Sequence, residues 1–195
     1  MSALQHLRPA LVMMALFTLL TGIAYPLLIT GAAQLILPFQ ANGGLVKDAK
    51  GQVQGSVFIA QAFTGPGYLH PRPSAAGDKG YDASNSSGSN LGPMDPKLAD
   101  RIKGDAKTLS TESPAPIPAD AVTTSGSGLD PDVTPENAAR QAPRIAAARH
   151  IAASDVNATI ARYTEAPALG FIGQPHVNVL LVNRALDHDH PLPRS

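Results

Sequence analysis

The chain has 195 residues, enough for one modest domain and an accessory segment. Its 15 basic and 15 acidic residues balance to a formal net charge of zero, whereas nucleic-acid binding needs a concentrated basic stripe, so no nucleic-acid partner is expected. The absence of cysteine excludes disulfides, thiolate catalysis and cysteine-ligated metals without fixing the cellular compartment.

An apolar stretch without a formal charge covers residues 10–37, after a short segment at residues 1–9. A spanning helix needs about 20 apolar residues, whereas the apolar region of a cleaved signal peptide has about 7–15. We therefore favour an uncleaved membrane anchor over a signal peptide or a buried core helix. Arg8 precedes the stretch and the first basic residue after it is Lys47, so the positive-inside bias predicts a cytoplasmic amino terminus and an external domain. In a bacterial cell, that domain would be periplasmic.

Small or polar residues recur at every fourth position of this stretch. Such a ridge lets helix backbones approach closely and hydrogen-bond across the contact, although these residue types also occur in ordinary single-pass anchors. We favour a docking face for a partner span, made of Thr18, Gly22, Pro26, Thr30 and Gln34.

The remaining chain is interpreted as a juxtamembrane linker at residues 38–52, a soluble domain at residues 53–186 and a flexible tail at residues 187–195. Val53–Phe63 has the composition of a strand, with Gly55 as a possible bulge. Residues 65–95 are rich in Gly, Pro, Ser and Asn, and a loop of this length is either disordered or functional. Two tyrosines and a histidine–arginine pair within it argue against a simple linker.

Helix starts follow the loop. Asp95 and Thr134 each precede a proline, which is the pattern of an N-cap followed by a first-turn proline. Pro143 is expected to bend or split the second helix, and a third is predicted to start at residues 154–155. His176–Leu186 is apolar and β-branched and is predicted to be a central strand. Strands at both ends with helices between them predict an α+β domain after one transmembrane helix.

Two local sequences share the pattern S-G-S-x-L-x-P, namely residues 87–93 and 125–131, and each leads into a capped helix. Such paired turns are expected to lie side by side and form one composite surface. The glycine-rich turns also suggest a phosphate site, but the lysine and spacing of a P-loop are missing. We favour a purely turn-shaping role, in which Ser127 and Asp130 bond to backbone groups.

Other chemical readings rest on weaker patterns. Ser125 and Ser127 with His150 and His176 suggest a hydrolase, but no G-x-S-x-G elbow is present. The sequence DHDH at residues 187–190 contains metal-ligand residue types but lies near the chain end, where a solvated tail is favoured.

Four segments follow the anchor in order: GSVFIAQAF, YLHPRPSAAGDKGYDASNSSGSNLGP, TTSGSGLDPDVTPENAARQAPRIAAAR and GQPHVNVLLVNRAL. With these segments, the chain resembles the C subunit of the bacterial Kdp-type potassium-transporting ATPases over essentially its whole length. The resemblance implies an inner-membrane complex that takes up potassium by ATP hydrolysis, with a channel-like subunit and a P-type ATPase subunit as partners. It implies an accessory, non-catalytic role as a catalytic chaperone that raises the ATP affinity of the hydrolysing subunit through a transient ternary complex. The sequence agrees in one respect, because it lacks the D-K-T-G phosphorylation motif.

No permanently bound cofactor or metal is expected, and ATP would be contacted only through the ternary complex. The nucleotide chemistry is cytoplasmic whereas the flanking charges place the domain outside, so the two inferences conflict unless the coupling is indirect. The alternative function is a membrane-tethered extracytoplasmic hydrolase. The candidate contacts to a partner or nucleotide are Arg72, Ser87, Gly88, Ser89, Asn90, Ser125, Gly126, Ser127, Gly128 and Asp130.

Overall fold

The structure, a computed structural model, describes residues 3–193, with side chains described for residues 6–193. The chain separates into two compact units, with the boundary between Leu45 and Val46.

The first unit is almost entirely helical. Helix α1 (Ala3–Leu19) continues through one π-helical turn (Leu20–Ala24) into α2 (Tyr25–Ile36), and a short α3 (Pro38–Ala41) follows. Pro26 explains the wide turn, because proline lacks an N–H and its ring clashes with the carbonyl four residues earlier. By length and composition, the apolar helix over residues 6–36 is long enough to cross a membrane. This agrees with one N-terminal membrane span.

Up to residue 193, the second unit combines short strands with four α-helices and one 3-10 turn (Ala119–Ala121). Its helices are α4 (Pro96–Glu112), α5 (Pro135–Arg149), α6 (Ala153–Arg162) and α7 (Val179–Asp189). Its strands are β1 (Leu45–Lys47, which begins at the unit boundary), β2 (Val53–Ser56), β3 (Asp132–Val133), β4 (Thr164–Glu165) and β5 (His176–Asn178). The predicted α+β fold class is therefore confirmed.

The three later strands form one antiparallel sheet in the order β3-β5-β4. Val177 of β5 lies at its centre, opposite Val133 of β3 and Thr164 of β4. Helices α5, α6 and α7 pack around this small sheet and each other. The core is aliphatic, in keeping with the low aromatic content, and consists of Leu69, Val133, Ala138, Ala142, Ile145, Ala146, Val156, Ile160, Val177, Val179, Val182 and Leu186.

The two cap-plus-proline signals mark true helix starts. The Asp95 carboxylate accepts a hydrogen bond from Lys97 N at 2.9 Å, and the Thr134 hydroxyl accepts one from Asn137 N at 3.2 Å. The prediction that Pro143 bends or splits the second helix is wrong as to splitting, since α5 runs unbroken. Burial of neighbouring residues on one face of α5 holds the helix together across the missing N–H. The third predicted helix begins one residue early, at Ala153, with no side-chain cap.

The predicted strand His176–Leu186 is wrong beyond Asn178. The Asn178 side chain accepts a hydrogen bond from Leu181 N at 3.2 Å, and this cap starts α7. Val179, Val182 and Leu186 then share one buried helical face, so tertiary packing overrides the strand preference of a β-branched run.

The predicted strand Val53–Phe63 is likewise shorter, because β2 ends at Ser56. Phe58 N donates to the Ser56 hydroxyl at 3.1 Å and thereby forms a turn. The predicted flexible tail also differs in its described part. Residues 187–189 belong to α7, and Arg149 donates to His190 O at 2.8 Å. The final two residues of that tail lie outside the described residues.

Candidate functional site

The two S-G-S loops lie side by side, as their repeated pattern predicts. Ser87 N donates to Ser127 O at 2.9 Å, and the Ser86 hydroxyl donates to the same oxygen at 3.0 Å. Gly88 lies so close that a Cβ placed on it would be 2.9 Å from Gly126 O. Backbone contacts of this kind join the loops into one surface, which we call the paired-loop surface (residues 86–90 and 125–130).

Gly128 is the tightest point of the paired-loop surface. Its φ of +68° is left-handed, and a Cβ there would lie 2.6 Å from Ser87 O and 2.7 Å from Ala76 N. The Ser74 hydroxyl donates to Gly128 O at 2.6 Å and accepts from Ala76 N and Tyr81 N at 3.1 and 2.8 Å. The long loop is therefore packed onto the second S-G-S turn through one serine.

Arg72 links the long loop to the far end of the paired-loop surface. Its guanidinium pairs with the Asp130 carboxylate at 2.9 Å and donates to Thr123 O at 3.3 Å. The Tyr81 hydroxyl donates to Arg72 O at 3.0 Å, and burial raises the pKa of that phenol. The side chains of Arg72 and Asp130 remain 23% and 32% exposed, so a partner could reach this ion pair.

The hydroxyls and amides of the second loop mostly hold the turn itself. The Ser127 hydroxyl accepts from Leu129 N at 3.1 Å, and Gly128 N donates to Ser125 O at 3.3 Å. Asp130 accepts from Asp132 N at 3.1 Å. These backbone N–H groups are therefore occupied, which supports the turn-shaping reading over a phosphate cradle.

The remaining candidates occupy different environments. The Ser87 hydroxyl donates to Gly88 O at 3.0 Å, Ser89 is half-buried, and Asn90 is exposed with a left-handed φ of 51°. The Ser125 hydroxyl oxygen is buried without a hydrogen-bond partner. In the described part of the chain, no hydrogen bond joins Ser125 or Ser127 to a histidine, so the structure does not assemble the serine–histidine pair of the hydrolase alternative.

Two buried amides that the sequence reasoning missed hold the long loop from below. Asn183 of α7 accepts from Leu69 N at 2.7 Å and donates to Leu69 O at 2.9 Å. Gln141 of α5 likewise accepts from His70 N at 2.9 Å and donates to His70 O at 3.1 Å. The side chains thus replace a β-ladder for these two loop residues. No local sequence signal marks these two amides, because their partners lie 71 and 114 positions away in the chain.

Asp120 extends this network to the start of α5. Its carboxylate accepts from Thr134 N at 2.9 Å, from the Thr134 hydroxyl at 3.0 Å and from the Asn137 amide at 3.0 Å. Asn137 in turn accepts from the Gln141 amide at 3.2 Å. The start of α5 and the long loop are therefore parts of one hydrogen-bonded unit.

A cavity of about 330 Å³ adjoins the network, between the long loop, α4 and α5. Its wall includes His70, Glu112, Arg140 and Arg144. Burial lowers the pKa of His70. Burial also lowers the pKa of the Arg144 guanidinium, and the charge of Glu112 partly offsets that decrease. Arg144 donates to Pro66 O at 2.6 Å, so part of its hydrogen-bonding capacity already stabilises the loop.

Asp187, His188 and Asp189, near the chain end, take part in ion pairs. Asp187 pairs with the fully buried Arg149 side chain at 2.8 Å, and Asp189 pairs with Arg162 at 2.7 Å. A hydrogen bond from His188, together with Arg162, lowers the pKa of Asp189 to about 2. Within residues 6–193, no group of three or more His, Asp or Glu side chains is arranged to hold a metal ion.

The predicted docking face of the membrane helix is open along its central part. No atom lies within 4 Å of a Cβ built on Gly22. Gln34 differs from the other members, because its amide exchanges hydrogen bonds with Asn42 at 3.1 and 3.4 Å and closes the end of the first unit. Residues spaced by four drift around the axis of an α-helix, because one turn has about 3.6 residues. The π-helical turn has more residues per turn and lies between Thr18 and Pro26, so it reduces this drift between them. Thr30 lies in α2.

Comparisons with known proteins give a consistent result. The family described as "KdpC: K+-transporting ATPase, c chain" matches residues 7–188. A potassium-transporting ATPase KdpC subunit of Caulobacter sp. (strain K31) is 62% identical over 96% of each chain. The KdpC subunit of Caulobacter vibrioides (strain NA1000 / CB15N) is 60% identical over 96% of this chain and 95% of its own, and that of Beijerinckia indica is 54% identical over 98% of both. With its apolar N-terminal helix and its α+β domain, the chain therefore belongs to the KdpC family, the c chains of potassium-transporting ATPases.

Proposed function

We propose that this chain is a non-catalytic accessory subunit that assembles with the channel-like and P-type ATPase subunits of a potassium uptake complex. The paired-loop surface is the observation that supports the proposal. The Ser86, Ser87 and Ser127 hydroxyls are engaged in bonds within the chain, while the Arg72–Asp130 pair stays partly exposed. Such a surface is preorganised for docking, because little conformational freedom is left to lose on binding.

The membrane helix provides the second contact. The ridge of Thr18, Gly22, Pro26, Thr30 and Gln34 docks a partner span, and the small or polar residue at every fourth position supports this assignment. Lipid surrounds the rest of the helix. We propose a single-pass inner-membrane protein with its amino terminus in the cytoplasm and its domain in the periplasm, and the flanking charges support this orientation.

The subunit acts on ATP use indirectly. We propose that it raises the ATP affinity of the hydrolysing subunit as a catalytic chaperone, without holding a cofactor of its own, and that ATP enters only through the ternary complex. An effect across the membrane requires two states of the ATPase subunit, one of which binds this chain more tightly.

The experiment compares purified complexes with and without this chain. The ATPase activity of the purified complete complex should saturate at a lower ATP concentration than that of the complex without the chain. In cells, the complete complex should support potassium uptake at limiting external potassium. A complex without the chain that shows the same uptake and the same ATP dependence would refute the accessory role. Exchange of Arg72 and Asp130 for alanine should weaken assembly without abolishing folding, because a partly exposed ion pair contributes about 1 kcal/mol or less to stability.

Membrane topology is tested separately. Two reporters are fused in turn to the carboxyl terminus, one that works only outside the cytoplasm and one that works only inside it. Only the first should be active. Activity of the cytoplasmic reporter would reverse the orientation and would make direct contact with ATP the better explanation of the ATP effect.

A further inference from the structure

A short hairpin between β4 and β5 projects from the three-stranded sheet. Ala168 and Ile172 exchange two backbone hydrogen bonds, each 2.9 Å long. Leu169 and Gly170 at the tip have φ values of 54° and 80°. This pair encloses three residues, and Phe171 N also donates to Ala168 O at 3.3 Å. Leu169 and Gly170 are thus the two central residues of a tight turn, and left-handed φ at both is typical of a type I′ turn.

Leucine is a poor residue for this turn. Asn, Asp and Gly are strongly preferred in type I′ turns, whereas a bulky residue with positive φ is a conformational outlier. Leu169 therefore occupies its position at a conformational cost, and at 83% exposure it gains little packing from the described part of the second unit. Strain of this kind commonly marks a side chain that is held for function.

The neighbouring residues make the tip a concentrated apolar knob. Phe171 is 77% exposed and Ile172 is 54% exposed. Together with Leu169 they present roughly 400 Å² of mostly apolar surface, which is comparable to the largest patch of an ordinary monomer. A side chain of each type costs free energy in water, so the knob is expected to be covered in the assembled protein.

Charge decides between a lipid surface and a protein as the cover. Residues 166–175 contain no charged residue, and the base of the hairpin carries Glu165 and Asp132 beside His176. Apolar segments that bind membrane surfaces usually add Lys or Arg, which anionic headgroups attract. An acidic base opposes that attraction and matches a protein pocket with an apolar floor and a basic rim.

We propose that the hairpin knob (Leu169, Phe171 and Ile172) inserts into an apolar, basic-rimmed pocket of another subunit of the potassium-transporting ATPase complex. The inference rests on the proposed accessory role and gives it a specific anchor. An area of roughly 400 Å² is half of what one partner buries in a standard interface, so the knob forms the centre of a larger contact that supplies the rest.

Leu169→Asn separates the fold from the docking. It creates an Asn-Gly pair, the favoured sequence of a type I′ turn, so the variant should be at least as stable to heat as the parent chain. The double variant Leu169→Asn/Phe171→Ser should nevertheless retain at least tenfold less of the other subunits during affinity purification of the whole complex. Met94→Asn is the matched control, since Met94 is 91% exposed and lies outside the knob, and it should retain the subunits fully. Retention of all subunits by the hairpin variant would overturn the proposal.

Photo-crosslinking identifies the cover directly. With p-benzoylphenylalanine replacing Phe171 in the intact complex in vesicles, a crosslink to another subunit is expected, and the same label replacing Met94 should give none. Crosslinks to lipid alone, or none at position 171 in an intact complex, would overturn the proposal while leaving the accessory role in place. Failure of the unmodified chain to co-purify with any ATPase subunit would refute both.

Discussion

Gly128 offers the sharpest test of how the paired-loop surface is built. In Gly128→Ala, the new Cβ meets Ser87 O at 2.6 Å and Ala76 N at 2.7 Å, and both are backbone atoms that no rotamer change can move. The left-handed φ costs an alanine about 1–2 kcal/mol, and overpacking typically adds about 1–3 kcal/mol. We therefore expect the free energy of unfolding to fall by about 2–5 kcal/mol.

Two neighbouring glycines provide matched controls. Gly126 has open space around its Cβ position and no positive φ, so Gly126→Ala should be neutral or should stabilise by about 0.4–1 kcal/mol. Gly88→Ala should be intermediate, because its Cβ would lie 2.9 Å from Gly126 O without a backbone penalty. The order of stability is thus predicted to be Gly126→Ala, then Gly88→Ala, then Gly128→Ala.

The assay is urea unfolding of the full chain in detergent micelles, followed by far-ultraviolet circular dichroism. The slope with urea should stay constant while the midpoint falls, which would show a change in stability and not in the unfolded state. Equal midpoints for Gly128→Ala and Gly126→Ala would refute the idea that close backbone contact joins the loops.

Three further predictions address the amide clamp, the sheet and the membrane helix. Asn183→Leu leaves both backbone groups of Leu69 buried and unpaired, which should cost about 2–5 kcal/mol and speed amide hydrogen exchange at Leu69; unchanged exchange would contradict the clamp. Burial raises the pKa of Asp132 above 3.8 in the folded chain, so ionisation of Asp132 lowers stability as the pH rises. Asp132→Asn should therefore raise the unfolding midpoint at pH 7, and the gain should disappear well below pH 3.8, where Asp132 is protonated in both states. Gly22→Leu should reduce co-purification of the complex, whereas Gly31→Leu, equally open but outside the predicted ridge, should not; equal recovery would argue against the docking face.

Local signals in the sequence were sufficient for several elements. The apolar anchor, the α+β class and the two helices that start after Asp95 and Thr134 follow from residues close together in the chain. Short-range physics governs these features, because an N-cap hydrogen bond or an apolar span needs no distant partner. The repeated S-G-S turns differ, because their similarity predicted their adjacency but a contact between remote residues, from Ser87 N to Ser127 O, produces it.

The tertiary structure decided what depends on distant contacts. The β-branched run after His176 became helix α7 because its apolar face packs on the core and Asn183 binds the loop at Leu69. Nothing in the local sequence distinguishes that amide from a solvated one, since its partners lie 114 positions away. The left-handed Leu169 is a further case, because residue preference alone would place Asn or Gly there. The sequence by itself therefore determined the family, the anchor and the helix starts, whereas the clamped loop, the paired-loop surface and the exposed knob exist only once the folded chain brings remote residues together.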